Sequence, residues 1–250
     1  MKKYIGIDLG GTNVRVALVN EKGEILEEIK RVSQSDLGPV KVLDNILDMV
    51  SALKGKEEAV AVGVGIPGPG DQEKGCITIA TNLKDFAYFP VVEYLSQRLN
   101  LPVYMDNDAN VAGLAEALVG SGKGEQVVYY ITHSTGIGGA LVVNGRVVSG
   151  RYGYAGEVAN IIVERNRPKL NHLNAGAVEN WASGTAIVMQ GKERISEDIT
   201  SAQHVFELAQ EGNEIAEEII NNMIEDFAIM LSTISHTCDP FVYVIGGGVS

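Results

Sequence analysis

Two glycine turns, far apart in the chain, sit in nearly the same local setting and restrict the possible folds more than any other feature. Tyr4-Ile-Gly-Ile-Asp8-Leu-Gly10-Gly11-Thr12-Asn13-Val-Arg-Val-Ala-Leu-Val19 reads as strand, glycine turn, strand. Tyr129-Tyr-Ile-Thr132-His-Ser-Thr135-Gly136-Ile-Gly138-Gly139-Ala-Leu-Val-Val143 reads the same way. β-Branched runs on both sides of a turn signal a hairpin. Glycine admits positive φ and lets a ligand come close to bare backbone. Successive N–H groups in such a turn form a concave anion site. One turn of this kind only reverses the chain. Two of them, one with an acid beside it (Asp8) and both carrying threonine, predict a duplicated α/β domain that grips phosphates from both sides.

The rest of the chain fits that plan. A third strand near Ile25–Val32, apolar residues at helical spacing over Val40–Lys54 and a buried strand Ala59–Ile66 make a compact α/β unit. Pro67-Gly68-Pro69-Gly70 is a rigid turn, Val91–Asn100 a short amphipathic helix, Leu101–Met105 a strand and Asn110–Val119 an alanine-rich helix. Gly120-Ser-Gly122-Lys-Gly124 reads as a flexible linker, giving lobes over 1–120 and 121–250. In the second lobe, Trp181–Gln190, Ala202–Gln210 and Glu214–Thr237 read as helices. Phe241–Ile245 is a final strand ending in Gly246-Gly247-Gly248.

A chain of 250 residues, 45% of them hydrophobic, can bury a large core. Its net charge of −12 argues against nucleic acid and against an anionic membrane surface. Cys76 and Cys238 are too far apart in sequence to suggest a cysteine-rich metal site or a disulfide framework. No signal peptide and no apolar run of bilayer-spanning length is present, so a cytoplasmic protein is expected. A homodimer stays open.

Four constellations carry chemistry. In Asp8-Leu9-Gly10-Gly11-Thr12-Asn13 the turn N–H groups and the Thr12 hydroxyl suit ATP phosphates, and Asp8 suits Mg²⁺ held through water. An acid capping an ordinary hairpin is the plainer reading. In Asp106-Asn107-Asp108-Ala109-Asn110, Asp108 ends a strand and opens a helix. It is an N-cap or, if the reaction moves a phosphoryl group to a hydroxyl, the base that takes the alcohol proton. Thr135-Gly136-Ile137-Gly138-Gly139 is a second phosphate loop or another hairpin turn. Gly246-Gly247-Gly248 offers bare backbone to a nucleoside, or is a helix-entry turn.

The paired turns resemble those of the actin/hexokinase/Hsp70 type of ATPase fold. In order, Ile7-Asp8-Leu-Gly-Gly-Thr12, Pro67-Gly-Pro69, Asn82-Leu83, Asn107-Asp108-Ala-Asn110, Thr135-Gly-Ile-Gly-Gly139, Ala155-Gly-Glu157, Glu179-x-x-Ala-Ser-Gly184 and Gly246-Gly-Gly248 resemble the motifs of the ROK family of sugar kinases. The resemblance covers essentially the whole chain. It implies a two-lobed α/β actin-like (ribonuclease H-like) fold with a cleft that closes on sugar, and an ATP- and Mg²⁺-dependent hexose kinase. Glucose is the first expectation as substrate; fructose, mannose or N-acetylmannosamine, or a sugar-binding pseudokinase, are the alternatives. By the same resemblance Asp108 is the catalytic base. Asn82, Asn107, Glu157, Asn160 and Glu179 bind the sugar, whose hydroxyls carboxylates and amides can satisfy directionally.

The chain departs from the family in two places. Many members follow the Gly-Glu pair with Gly-His and a cysteine cluster that bind structural zinc. Here Gly156-Glu157 runs into Val158-Ala159-Asn160, with His172 and no cysteine before Glu179, so no zinc site is expected. Family chains also continue past the glycine loop. A chain ending at Ser250 is expected to bind hexose but to hold ATP weakly. The family's repressors begin with a DNA-binding helix-turn-helix, and this acidic chain starts directly at the first strand.

Overall fold

The computed structural model describes residues 2–80, 83–151 and 153–249. They form two compact units, Met1–Ala115 with Gly150–Tyr154, and Glu116–Ser149 with Ala155–Ser250.

In the first unit, β1 (Lys3–Leu9), β2 (Asn13–Asn20) and β3 (Ile25–Val32) form an antiparallel meander. Helix α1 (Pro39–Ala52) returns the chain so that β4 (Ala59–Ile66) lies parallel to β1. Parallel strands need such a crossover. A small ribbon, β5 (Gly70–Asp71) and β6 (Cys76–Ile77), precedes helix α2 (Val91–Leu99) and strand β7 (Val103–Asn107). Helix α3 (Asp108–Leu118) follows β7 without a loop, and the division between the units falls inside it. The five-stranded sheet runs β3-β2-β1-β4-β7. Alternation puts Ile5, Ile7 and Leu9 of β1 and Val14, Val16 and Leu18 of β2 on the face that α1 and α2 cover with Leu43, Ile46, Met49 and Leu95. Each such fully buried side chain contributes about 1.5–3 kcal/mol.

The second unit repeats this order. Strands β8 (Val127–His133), β9 (Ile137–Val143) and β10 (Arg146–Val147) form an antiparallel meander. Helices α4 (Glu179–Ala182), α5 (Gly184–Arg194), α6 (Ala202–Gln210) and α7 (Glu214–Cys238) then return the chain to β11 (Val242–Gly246), parallel to β8. The sheet order is β10-β9-β8-β11. Its core joins Ile131 and Ile137 to Ile187, Ile219, Met230 and Ile234. A glycine turn joins the first two strands in each unit, and a parallel strand lies against the first. This mixed α/β architecture is that of the actin-like ATPase class.

Three local expectations differ from the structure. The single helix expected over Trp181–Gln190 is two helices broken at Ser183, which caps α5 by accepting from the Ala186 N–H. Helix α3 begins at Asp108 rather than Asn110, because the Asn107 side chain caps it. The glycine-rich 120–124 segment is tied down by bonds from the N–H groups of Gly120 and Gly122 to the Glu116 carbonyl and from Ser121 N–H to the Glu116 carboxylate.

Candidate active site

In the first unit, β1 ends in Asp8, and its exposed carboxylate faces Arg15 across the hairpin at 4.0 Å. The turn is pinned from outside. The hydroxyls of Ser33 and Ser35 donate to the Gly11 carbonyl at 2.6 and 2.7 Å, and Ser33 N–H donates to the Thr12 carbonyl. Gly10 N–H bonds to the Asn13 carbonyl, whereas the N–H groups of Gly11 and Thr12 have no protein acceptor among the described residues. An anion would meet those two groups.

Asn107 and Asp108 stand where β7 becomes α3. The Asn107 Oδ1 accepts from the N–H groups of Ala109 and Asn110, and its Nδ2 donates to the Gly68 carbonyl at 3.1 Å. Asp106, one residue earlier, accepts from Asn107 N–H and from the buried Asn110 side chain. This network sets the direction of Asp108. Its Oδ1 accepts from Ala109 N–H at 2.8 Å, and Oδ2 has no hydrogen bond among the described residues. Gly65 of β4, in register with Asp8, leaves room for the start of α3, its absent Cβ lying 3.8 Å from the Asp108 Cα. The surrounding protein thins the hydration of Asp108 and pushes its pKa up. The Ala109 N–H opposes that rise, and the Asp8 charge adds to it.

In the second unit the turn after β8 is held on three sides. A Cβ on Gly136 would lie 2.6 Å from the Glu179 Oε2, which accepts from Ile137 N–H at 2.8 Å. A Cβ on Gly139 would lie 2.7 Å from the carbonyl of Gly156, the residue that places Glu157. Gly156 has φ +93° and itself packs on the backbone of Ala140 and Leu141. Gly184 N–H bonds to the Ser134 carbonyl, and the Thr185 hydroxyl and N–H bond to the Thr135 carbonyl. Gly247, at φ +117°, abuts the His133 carbonyl, which accepts from Val249 N–H. Several motif glycines are therefore demanded by neighbouring protein backbone rather than by a ligand. The N–H groups of Thr135 and Gly136 remain without a protein acceptor among the described residues.

The segment between Glu157 and Glu179 is tied by amides and by one ion pair. Asn174 N–H donates to the Asn160 Oδ1, and Asn171 and Asn180 exchange side-chain bonds. Arg167 pairs with Asp226 of α7 at 2.5 Å and stacks on the Trp181 ring at 4.7 Å. Burial raises the Asp226 pKa, with Arg167 opposing.

The ROK family model matches residues 4–250. The chain belongs to the ROK family. A glucokinase of Thermotoga maritima is 33% identical over 99% of this chain and 82% of its own. The crystal structure of a ROK hexokinase from Thermus thermophilus superposes with a TM-score of 0.90 at 30% identity, covering 99% of this chain and 82% of that one. A ROK glucokinase from Streptomyces griseus, solved with glucose and AMPPNP, gives a TM-score of 0.81 at 28% identity, covering 99% and 83%.

Within that ROK frame, the first unit gathers Asp8, Gly10, Gly11, Thr12, Asn13, Asn107 and Asp108, with Asp8 close enough to act on Asp108. The second joins Gly136 and Ile137 to Glu179, Thr135 to Thr185, and Gly139 to Gly156 beside Glu157, while Gly247 abuts His133. Asn160 is not on that turn; it bonds to Asn174. His172 is exposed. Asn82 lies outside the described residues. Sequence reasoning missed Ser33, Ser35, Asp106, Ser183 and Thr185. The Ser183-Gly184 pair ahead of an apolar run is a helix N-cap signal that could have found one of them.

Proposed function

We propose that the chain is an ATP-dependent hexose kinase that moves the γ-phosphoryl group of ATP to a sugar hydroxyl, with glucose the first substrate and glucose 6-phosphate its product. The observation that carries this reading is Asp108: a carboxylate fixed through one oxygen at a strand–helix junction, with no hydrogen bond to the other oxygen among the described residues. Oδ2 takes the proton of the hexose hydroxyl as that oxygen attacks the γ-phosphorus and ADP departs. Asn107 orients this base and, among the described residues, has one Nδ2 hydrogen left for a sugar hydroxyl. Glu157 and Glu179 accept from further hydroxyls, and Asn82 and Asn160 are assigned to the same ring. The N–H groups of Gly11, Thr12, Thr135 and Gly136 bind the phosphates, and Gly246–Gly248 lies under the adenosine.

Mg²⁺ fits this site. It asks for one or two carboxylates beside phosphate and water, and Asp8 is an exposed carboxylate next to the first turn. No cluster of three or more His, Cys, Asp or Glu side chains that could hold a metal occurs among the described residues. Asp8 would hold Mg²⁺, which would supply charge neutralisation to the ATP phosphates. We assign the enzyme to the cytoplasm, where hexose and ATP meet; among the described residues no helix is long and apolar enough to cross a membrane.

A coupled ADP-release assay over glucose, mannose, fructose, N-acetylglucosamine and N-acetylmannosamine tests the reading. Sugar-dependent ADP release, greatest with glucose, is the expected result. ADP release independent of every sugar would overturn it.

A further inference from the structure

Glu179, proposed above as a sugar ligand, is also built into the second glycine turn. Its Oε2 accepts from the Ile137 N–H at 2.8 Å, so this N–H is spent on protein rather than on phosphate. The bond depends on the missing side chain at Gly136, where a Cβ would lie 2.6 Å from the same oxygen. Oε1 makes no hydrogen bond among the described residues and is open to a hydroxyl. Helix α4, which carries Glu179, and the start of α5 are fastened to the same turn by other bonds. The Ala182 carbonyl accepts from His133 Nε2–H at 2.7 Å, Gly184 N–H reaches the Ser134 carbonyl at 2.8 Å, and the Thr185 hydroxyl reaches the Thr135 carbonyl at 2.9 Å. A carboxylate fixed by a sugar hydroxyl therefore fixes the turn that carries the phosphate-facing N–H groups of Thr135 and Gly136.

We infer that Glu179 couples the two substrates, so that an occupied sugar subsite tightens the phosphate turn and a bound nucleotide tightens the sugar subsite. The inference rests on the hexose-kinase reading above. Ordering the carboxylate–turn unit costs conformational entropy once, and the second ligand to bind is spared that cost. Coupling of this kind must be equal in both directions.

Calorimetric titration of AMPPNP, with and without a saturating level of the best hexose of the panel, reads the effect. In the native protein the sugar should tighten AMPPNP about tenfold, equivalent to about 1.4 kcal/mol, and AMPPNP should tighten the sugar by the same factor. The informative variant is Gly136→Ala. Its Cβ meets only the end of a flexible side chain, so the carboxylate is displaced from Ile137 while both groups stay in the protein. A direct effect of the new methyl on phosphate changes AMPPNP affinity with and without sugar alike and cancels in the ratio. The ratio should fall below about twofold in Gly136→Ala, whereas Glu179→Gln, which keeps an acceptor oxygen at the same reach, should hold it above about threefold. Should Gly136→Ala fail to fold, Glu179→Ala is read for the same loss. A native enzyme that phosphorylates the hexose yet shows no coupling, or a variant without the bond that keeps it, overturns the inference alone. A native protein that neither binds nor phosphorylates any hexose overturns this inference and the kinase reading together.

Discussion

Removing the guanidinium of Arg167 should destabilise the protein more than removing the charge of its partner. The Asp226 side chain is 5% exposed and that of Arg167 is 22% exposed. Arg167→Ala therefore strands a carboxylate that cannot reach water and strips the cation from the Trp181 face. Breaking a buried pair from one side costs about 3–5 kcal/mol. Because burial already raises the Asp226 pKa, the carboxyl can relieve part of that cost by taking a proton, so we expect the lower end, about 3 kcal/mol at pH 7. For a chain of this size the melting temperature would fall by about 6–12 °C. Asp226→Asn leaves a cation that can turn towards solvent and should cost about 1–2 kcal/mol. Replacing both with apolar residues of similar volume should recover most of the loss. The sign with pH follows from the raised pKa. Well below the ordinary aspartate value of about 4, Asp226 is neutral whether folded or unfolded, and the Arg167→Ala penalty is smallest; it grows as pH rises through the folded-state value. Urea unfolding followed by the fluorescence of Trp181, the only tryptophan, measures all of this. A loss under 1 kcal/mol at pH 7, or an equal loss at pH 4 and pH 7.5, would refute the reasoning.

Three further outcomes are expected. Gly156→Ala introduces a Cβ at φ +93° within 3.2 Å of the backbone of Ala140 and Leu141, so it should cost about 1–3 kcal/mol and raise the sugar KM by displacing Glu157; an unchanged KM would contradict the role of that contact. The acid limb of kcat/KM should have its midpoint above the ordinary aspartate value near 4, because burial raises Asp108 and the base works only when ionised; a midpoint at or below 4 would remove Asp108 from the profile. The cysteine-free 157–179 segment, tied by the asparagine pairs and Arg167, should bind no stoichiometric zinc, so elemental analysis finding about one zinc per chain would count against this account.

The strands and turns were legible because their signals are local. Alternation in Lys3–Leu9 and Asn13–Asn20, with glycines between, is contained in fewer than twenty residues and needs no partner to be read. Asp108 at a strand–helix junction was legible for the same reason. What escaped was long-range: Glu179 with Ile137, Arg167 with Asp226, and the serines that pin Gly11 join residues 42, 59 and at least 22 positions apart. The double duty of Asn107, helix cap and brace to Gly68, likewise needs β4 and β7 already paired. The glycines of the second turn and of the final loop look like ligand-facing backbone in sequence, and only packing reveals that Gly136, Gly139 and Gly247 make room for Glu179, Gly156 and His133.

The most direct measurement is the turnover of Asp108→Asn against the native protein, with sugar binding measured on the same samples. The amide keeps the shape of the side chain and can still bond to Ala109 N–H, but it cannot accept the hydroxyl proton. If Asp108 is the base of a hexose kinase, kcat falls by about 10²–10⁴-fold while the sugar dissociation constant stays within a few fold. A variant with near-native kcat would contradict it.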